Sequence, residues 1–137
     1  MNLEKLTTML VEHEGEKLFP YVCPAGKTTI GAGRNLSDKG ISQEESRFLL
    51  NNDIKECFDD LQTIFIYQFE KFPEAIQHCL IDMRFNLGYS GFRKFKKMIK
   101  AVNDRNMEEM IVQMRDSAWY RQVTSRAEHL IKMMKEG

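Results

Sequence analysis

Apolar positions recur at two different periods along this chain, and the change of period divides it. Leu3, Leu6, Leu10 and Val11 repeat at helical spacing, and Glu14 continues the same stripe before Gly15 ends it. This predicts an N-terminal helix over about 2–14. Residues 18–36, LFPYVCPAGKTTIGAGRNL, break that period with short apolar or β-branched pieces between Pro20, Pro24, Gly26, Gly31 and Gly33. Such punctuation predicts a hairpin or small sheet, with CPAG as the tightest turn and TTIGAG as a strand running into a Gly-rich turn.

Helical spacing returns after residue 36. Ser42 with Glu45 forms a capping-box pattern opening a helix that carries Phe48, Leu49, Ile54, Phe58 and Leu61, with Cys57 on or near its apolar face. An aromatic stretch, IFIYQF, precedes Pro73. Ala75, Ile76, Cys79, Leu80, Met83 and Leu87 then mark a buried helix stopped by Gly88. Two further faces come next, Phe92–Phe95–Met98–Ile99–Val102 and Met107–Met110–Ile111–Met114. Ser125 is the expected cap of a last helix with Leu130, Ile131 and Met134 inward. The Met-rich faces fit core filling better than a promiscuous groove, because an unbranched thioether adapts to irregular gaps. The expected class is α+β: a single 137-residue domain, with a small β-hairpin subdomain over about 15–40 packed against a larger helical lobe. That lobe covers about 42–137 and takes in the first helix.

Composition narrows the function classes. Twenty basic and twenty acidic residues cancel, which argues against a dedicated nucleic-acid binder. The halves differ: residues 1–91 hold nine Lys or Arg against fourteen Asp or Glu, and residues 92–137 hold eleven against six. The later part could attract an anionic polymer, or could simply be a solvated helical surface. Three cysteines without a pairing pattern argue against a disulfide scaffold and for a reducing compartment. The N-terminus has no basic-then-apolar leader pattern, and no apolar run reaches membrane-spanning length.

Candidate chemistry collects early in the chain. Glu14 is a carboxylate on an apolar stripe at a helix C-terminus. Burial and the helix's negative end both favour the protonated acid there, as a glycosidic proton donor requires. The alternative is a helix-end glutamate paired with a base. Cys23 stands in a proline-flanked turn, where a reactive thiol and an inert packed one are both open. Thr28 and Thr29 alternate along a strand, so only one can face Glu14. The GxG at Gly31 and Gly33 reads as a tight turn and lacks a phosphate-loop ending. His13, His78 and His129 are scattered, so no metal and no cofactor is assigned. Trp119 and Tyr120 form an aromatic pair that either stacks on sugar or plugs the core.

Together these residues resemble the phage-type (T4-like) lysozymes, glycoside hydrolase family 24. The run HEGEKLFPYVCPAGKTTIGAGRNL carries the family's pattern: a Glu, eight residues, an Asp or Cys, five residues, then a Thr. Here these are Glu14, Cys23 and Thr29. The similarity continues through CLIDMRFNLGYSGF and SAWYRQVTSRAEHLI. It implies that Phe85, Asn86, Leu87, Gly88, Trp119 and Tyr120 line a substrate cleft and that Arg126 supports the catalytic glutamate. Better-known members carry Asp where this chain has Cys23 and often His where it has Arg34, and the stretch from 36 to 73 is short beside larger relatives.

The resemblance implies hydrolysis of the β-1,4 bond between N-acetylmuramic acid and N-acetylglucosamine in peptidoglycan, and an endolysin role in host lysis. The implied protein is a monomer acting on glycan strands, without stable membrane insertion. It would accumulate in the host cytoplasm and reach the wall through a separately made membrane pore. A tail-associated or prophage role, and a peptidoglycan-binding module without turnover, are the alternatives.

Overall fold

The computed structural model describes all of residues 1–137. The chain is an α+β fold made of two compact units, Met1–Leu49 and Leu50–Gly137.

The first unit opens with helix α1, Leu3–Glu14. Asn2 caps it by accepting from the Lys5 amide at 2.9 Å, and Gly15 ends it at φ +74°, where its amide still reaches Val11 O. Strands β1 (Lys17–Val22), β2 (Thr28–Gly31) and β3 (Arg34–Asn35) form an antiparallel sheet in that order. Pro20 sits in β1, an edge strand, where a missing N–H costs no ladder bond. The register shifts between Lys17 and Tyr21, on either side of that proline. The CPAG turn closes as expected, with Gly26 N to Cys23 O at 2.8 Å and Cys23 N to Lys27 O at 2.9 Å. A one-turn helix α2, Leu36–Lys39, comes directly after β3.

Helix α3, Gln43–Ile64, begins in this unit and continues into the second. The predicted capping box is present: the Glu45 amide donates to Ser42 Oγ and the Ser42 amide to Glu45 Oε1. The apolar stripes of α1 and of the first turns of α3 are not a core within this unit. Leu3, Leu10, Phe48 and Leu49 stay exposed, and α1 buries no residue. The small sheet turns Thr29, not a large apolar side chain, into its interior, so the unit has little with which to enclose those stripes.

The second unit holds the hydrophobic core. Residues Phe65 to Phe72 loop round through positive φ at Ile66 and Tyr67 and a 3-10 turn, Phe69–Lys71, which points Phe65, Phe69 and Phe72 inward. These rings meet edge to face, with centroids 5.3 and 6.2 Å apart. Helices α4 (Glu74–Arg93), α5 (Lys96–Asn103), α6 (Met107–Arg115), α7 (Ala118–Gln122) and α8 (Thr124–Glu136) complete it. Cys57, Leu61, Cys79, Leu80, Met83, Phe92, Met98, Met110, Met114, Ile131 and Met134 are buried as the period predicts. Each large side chain among them contributes about 1.5–3 kcal/mol by leaving water.

Two details differ from expectation. Gly88 does not end α4: the helix breaks there, at φ +79° and ψ 179°, and resumes to Arg93. Ser125 does not cap α8. The helix begins at Thr124, whose hydroxyl donates to Tyr120 O, and Ser117 supplies a cap one helix earlier by accepting from the Tyr120 amide.

Candidate active site

In the first unit the site is built by the end of α1 and by the hairpin. Glu14 is the last residue of α1 and is exposed, so this unit does not supply the burial expected for it. Its carboxylate lies over the turn between β2 and β3. A methyl in place of the Gly33 hydrogen would sit 3.0 Å from Glu14 Oε2 and 3.3 Å from Cδ. The absent side chain at Gly33 is therefore what lets the acid rest on the turn, and the φ of +75° there is one that glycine adopts without cost.

Alternation on β2 separates the two threonines. Thr28 is exposed and Thr29 is 4% exposed. The Thr29 hydroxyl donates to Lys27 O at 3.0 Å, which leaves its lone pairs as acceptors. Cys23 is half-buried and unpaired. Its thiol is held below the ordinary value chiefly by the Lys27 backbone amide, with smaller help from the Ala25 amide, against a rise from burial. The β1–β2 turn thus joins Cys23 to Thr29.

Arginine plays no part in the lowering at Cys23. Arg34 instead pairs with Glu45 at 2.8 Å and donates to Gly40 O, tying β3 to the start of α3. That pairing, with the Ser42 amide, holds the Glu45 carboxyl down to about 2.

In the second unit, Phe85, Asn86, Leu87 and Gly88 form the stretch of α4 leading into its break, and Phe85 and Asn86 are exposed. Trp119 is buried in the core and packs edge to face on Phe95. Its indole N–H donates to Asn86 Oδ1 at 2.8 Å. Of its two sequence readings, the core plug describes it. One edge still borders an open cavity of about 630 Å³, shared with Leu87, Phe95, Lys97, Gln113 and Ser117. Tyr120 is half-buried and donates its hydroxyl to Glu128 at 2.6 Å, while Arg115 grips the same carboxylate through two nitrogens. Those contacts hold Glu128 down to about 2. Arg126 is half-buried and donates from Nε to Asp82 at 2.7 Å.

A family model described as phage lysozyme matches residues 11–133. The chain belongs to the phage lysozyme family. It is 24% identical to the probable T4-type lysozyme 2 of Dictyostelium discoideum, over 98% of this chain and 96% of that protein. It is also 40% identical, over 55 residues, to the peptidoglycan hydrolase gp36 of Pseudomonas phage phiKMV. That match covers 40% of this chain and 6% of the phage protein.

Several residues that shape these segments of the phage-lysozyme-family chain carry no pattern of their own in the sequence. Asp60, Arg84 and Arg93 form an ion cluster, Asp82 engages Arg126, and Glu128 fixes Tyr120. Arg84 alone offers a usable signal, because it stands four residues after Leu80 and three before Leu87 on the buried stripe of α4. An arginine there requires a partner.

Proposed function

We propose that this chain is a muramidase of the endolysin kind. It would cleave the β-1,4 bond between N-acetylmuramic acid and N-acetylglucosamine in peptidoglycan. The observation that carries this reading is the Glu14, Cys23 and Thr29 pattern, which lies inside the residues matched to the phage lysozyme family.

In this reading Glu14 protonates the glycosidic oxygen of the leaving sugar. Thr29, its proton committed to Lys27 O, accepts from a water on the opposite face of the sugar. Cys23 as thiolate takes that water's second proton as it attacks, and the anomeric configuration inverts. The lowered thiol favours this role, because only the thiolate is a base. Direct attack by sulfur, with a thioglycoside intermediate and retention, is less suited to rapid turnover. Phe85, Asn86, Leu87, Gly88, Trp119 and Tyr120 would line the glycan path, and Arg126 would support Glu14.

The partner is the glycan strand, met by a monomer. No helix is long and apolar enough to cross a membrane. Accumulation in the host cytoplasm and passage through a separately made pore belong to the same proposal. The replacement of the usual Asp by Cys23 favours one second reading, a wall-binding module with weak or no turnover.

The test compares wild type with Glu14→Gln on purified peptidoglycan, following turbidity and new reducing ends. Wild type should release muramic-acid reducing ends, and the variant should fall by at least about a hundredfold. Equal rates would remove Glu14 from the chemistry. Binding without release by wild type would favour the second reading.

A further inference from the structure

The most heavily buried charges of the second unit lie beside the break in α4. Asp60, on α3, accepts from Arg84 Nε at 2.6 Å through one oxygen and from Arg93 through both. Arg84 is 6% exposed, and the Asp60 side chain is 12% exposed. The two arginines stand on opposite sides of Gly88, where the backbone leaves helical geometry. Arg93 also donates to Tyr89 O, the residue just past the break, and its guanidinium lies 3.5 Å from the centroid of the Tyr89 ring.

A helix broken at glycine has a soft angle, since glycine admits many φ/ψ pairs at similar cost. One carboxylate bonded to both halves removes that freedom. The geometry is also specific: a planar fork gripping both oxygens fixes orientation as well as distance. Between Arg84 and Gly88 lies the segment Phe85–Asn86–Leu87, and Asn86 carries the acceptor for Trp119.

We propose that Asp60 is a positioning residue for glycan binding: by clamping Arg84 and Arg93 across Gly88 it sets the angle of the α4 break and holds Asn86 on Trp119. Its bearing on substrate rests on the muramidase reading above, whereas the clamp itself does not. Loss of the clamp lets the two halves swing, the Asn86–Trp119 bond is lost, and the strip from Phe85 to Gly88 no longer presents one shape to a sugar.

The chain contains a single tryptophan, so its fluorescence reads the Asn86 contact directly. The experiment uses the full chain as wild type, Asp60→Asn, Asp60→Glu, Asn86→Ala and the stability control Phe72→Leu, a core change outside the clamp. Each is checked for intact fold by far-UV circular dichroism. Asp60→Asn should shift tryptophan emission in the same sense as Asn86→Ala and raise KM on solubilised peptidoglycan about tenfold, with kcat within about threefold. Asp60→Glu should recover part of both. Phe72→Leu should leave emission and KM unchanged even where its Tm falls as far.

Wild-type emission in folded Asp60→Asn overturns the clamp. A shifted emission with wild-type KM overturns its role in substrate grip. The same changes in Phe72→Leu would reduce Asp60 to a stability residue and also overturn the proposal. Should Asp60→Asn not fold, Arg93→Gln, which leaves the Arg84–Asp60 pair in place, takes the same measurements with the same decisive outcomes. Should wild type lack lytic activity, the muramidase reading falls, and with it the role in substrate grip. The emission arm still decides the clamp.

Discussion

Gly33 holds Glu14 by having no side chain: the carboxylate rests on the turn where a Cβ would come within 3.0 Å of Oε2. A single substitution therefore separates the position of the acid from its presence.

Gly33→Ala should keep the fold and lose most lytic activity. The left-handed φ costs a non-glycine residue about 1–3 kcal/mol, and the new methyl pushes the carboxylate aside by a few tenths of an ångström. Tm should fall by several degrees and kcat by tenfold or more. Gly40→Ala, at φ +61° with open space around it and outside the Cys23 turn, supplies the comparison for backbone strain without contact on Glu14. Equal activity in the two variants would show that contact with Glu14 is irrelevant.

Cys23 gives the second prediction. Cys23→Asp should preserve activity, while Cys23→Ser and Cys23→Ala should lose most of it, because neither supplies an anionic base. Equal rates in all three would leave Cys23 no chemical role. A sugar–sulfur adduct seen by mass spectrometry would replace the water route with the covalent one.

Two solvent-accessible carboxylates add to the acid sensitivity that Asp60, lowered chiefly by its hydrogen bonds from Arg93, also confers. Glu45 and Glu128 are held down to about 2 from an ordinary 4.5. A depressed carboxylate contributes stability above its unfolded value and loses it as pH falls through the folded one. Tm should therefore decline between about pH 4.5 and 2, modestly, since both pairs are solvent-accessible. Glu128→Gln should flatten part of that decline. It should also lower the Tyr120 phenol, which the hydrogen bond to Glu128 raises, and ultraviolet titration reads this second effect. Unchanged titration in the variant would remove the Tyr120–Glu128 contact from solution.

Period and punctuation made most of the fold legible. The α1 stop at Gly15, the CPAG turn, the Ser42–Glu45 box and the cores of α4, α6 and α8 all rest on local spacing, which sequence states directly. The break at Gly88 was legible as a place but not as an event. A glycine can end a helix or bend it, and the residues beyond it decide which. Here Phe92 returns to the core, so the chain resumes. Ser125 misled because a β-branched neighbour, Thr124, already starts the helix with its hydroxyl on Tyr120 O. In the candidate site, Glu14, Cys23 and Thr29 stand out together only through the family resemblance, whose spacing they match. Asp60 does not, because its partners lie 24 and 33 residues further along the chain and no local period links them. Gly33 was legible only as a turn, since a close approach from another element leaves no mark in sequence.

The interior of the second unit is rich in thioethers, with Met83, Met98, Met110, Met114 and Met134 at 1% exposure or less and Met1 and Met9 open to solvent. Oxidation chemistry thereby becomes a clock. Dilute peroxide meets the two outer sulfurs at once, but reaches the inner five only when the helices part. Peptide mapping should show sulfoxide at Met1 and Met9 first, at half-buried Met107 and Met133 next, and at the inner five at the rate of opening. Each sulfoxide formed inside would strand a polar group in the core, so the first such event makes the next one faster.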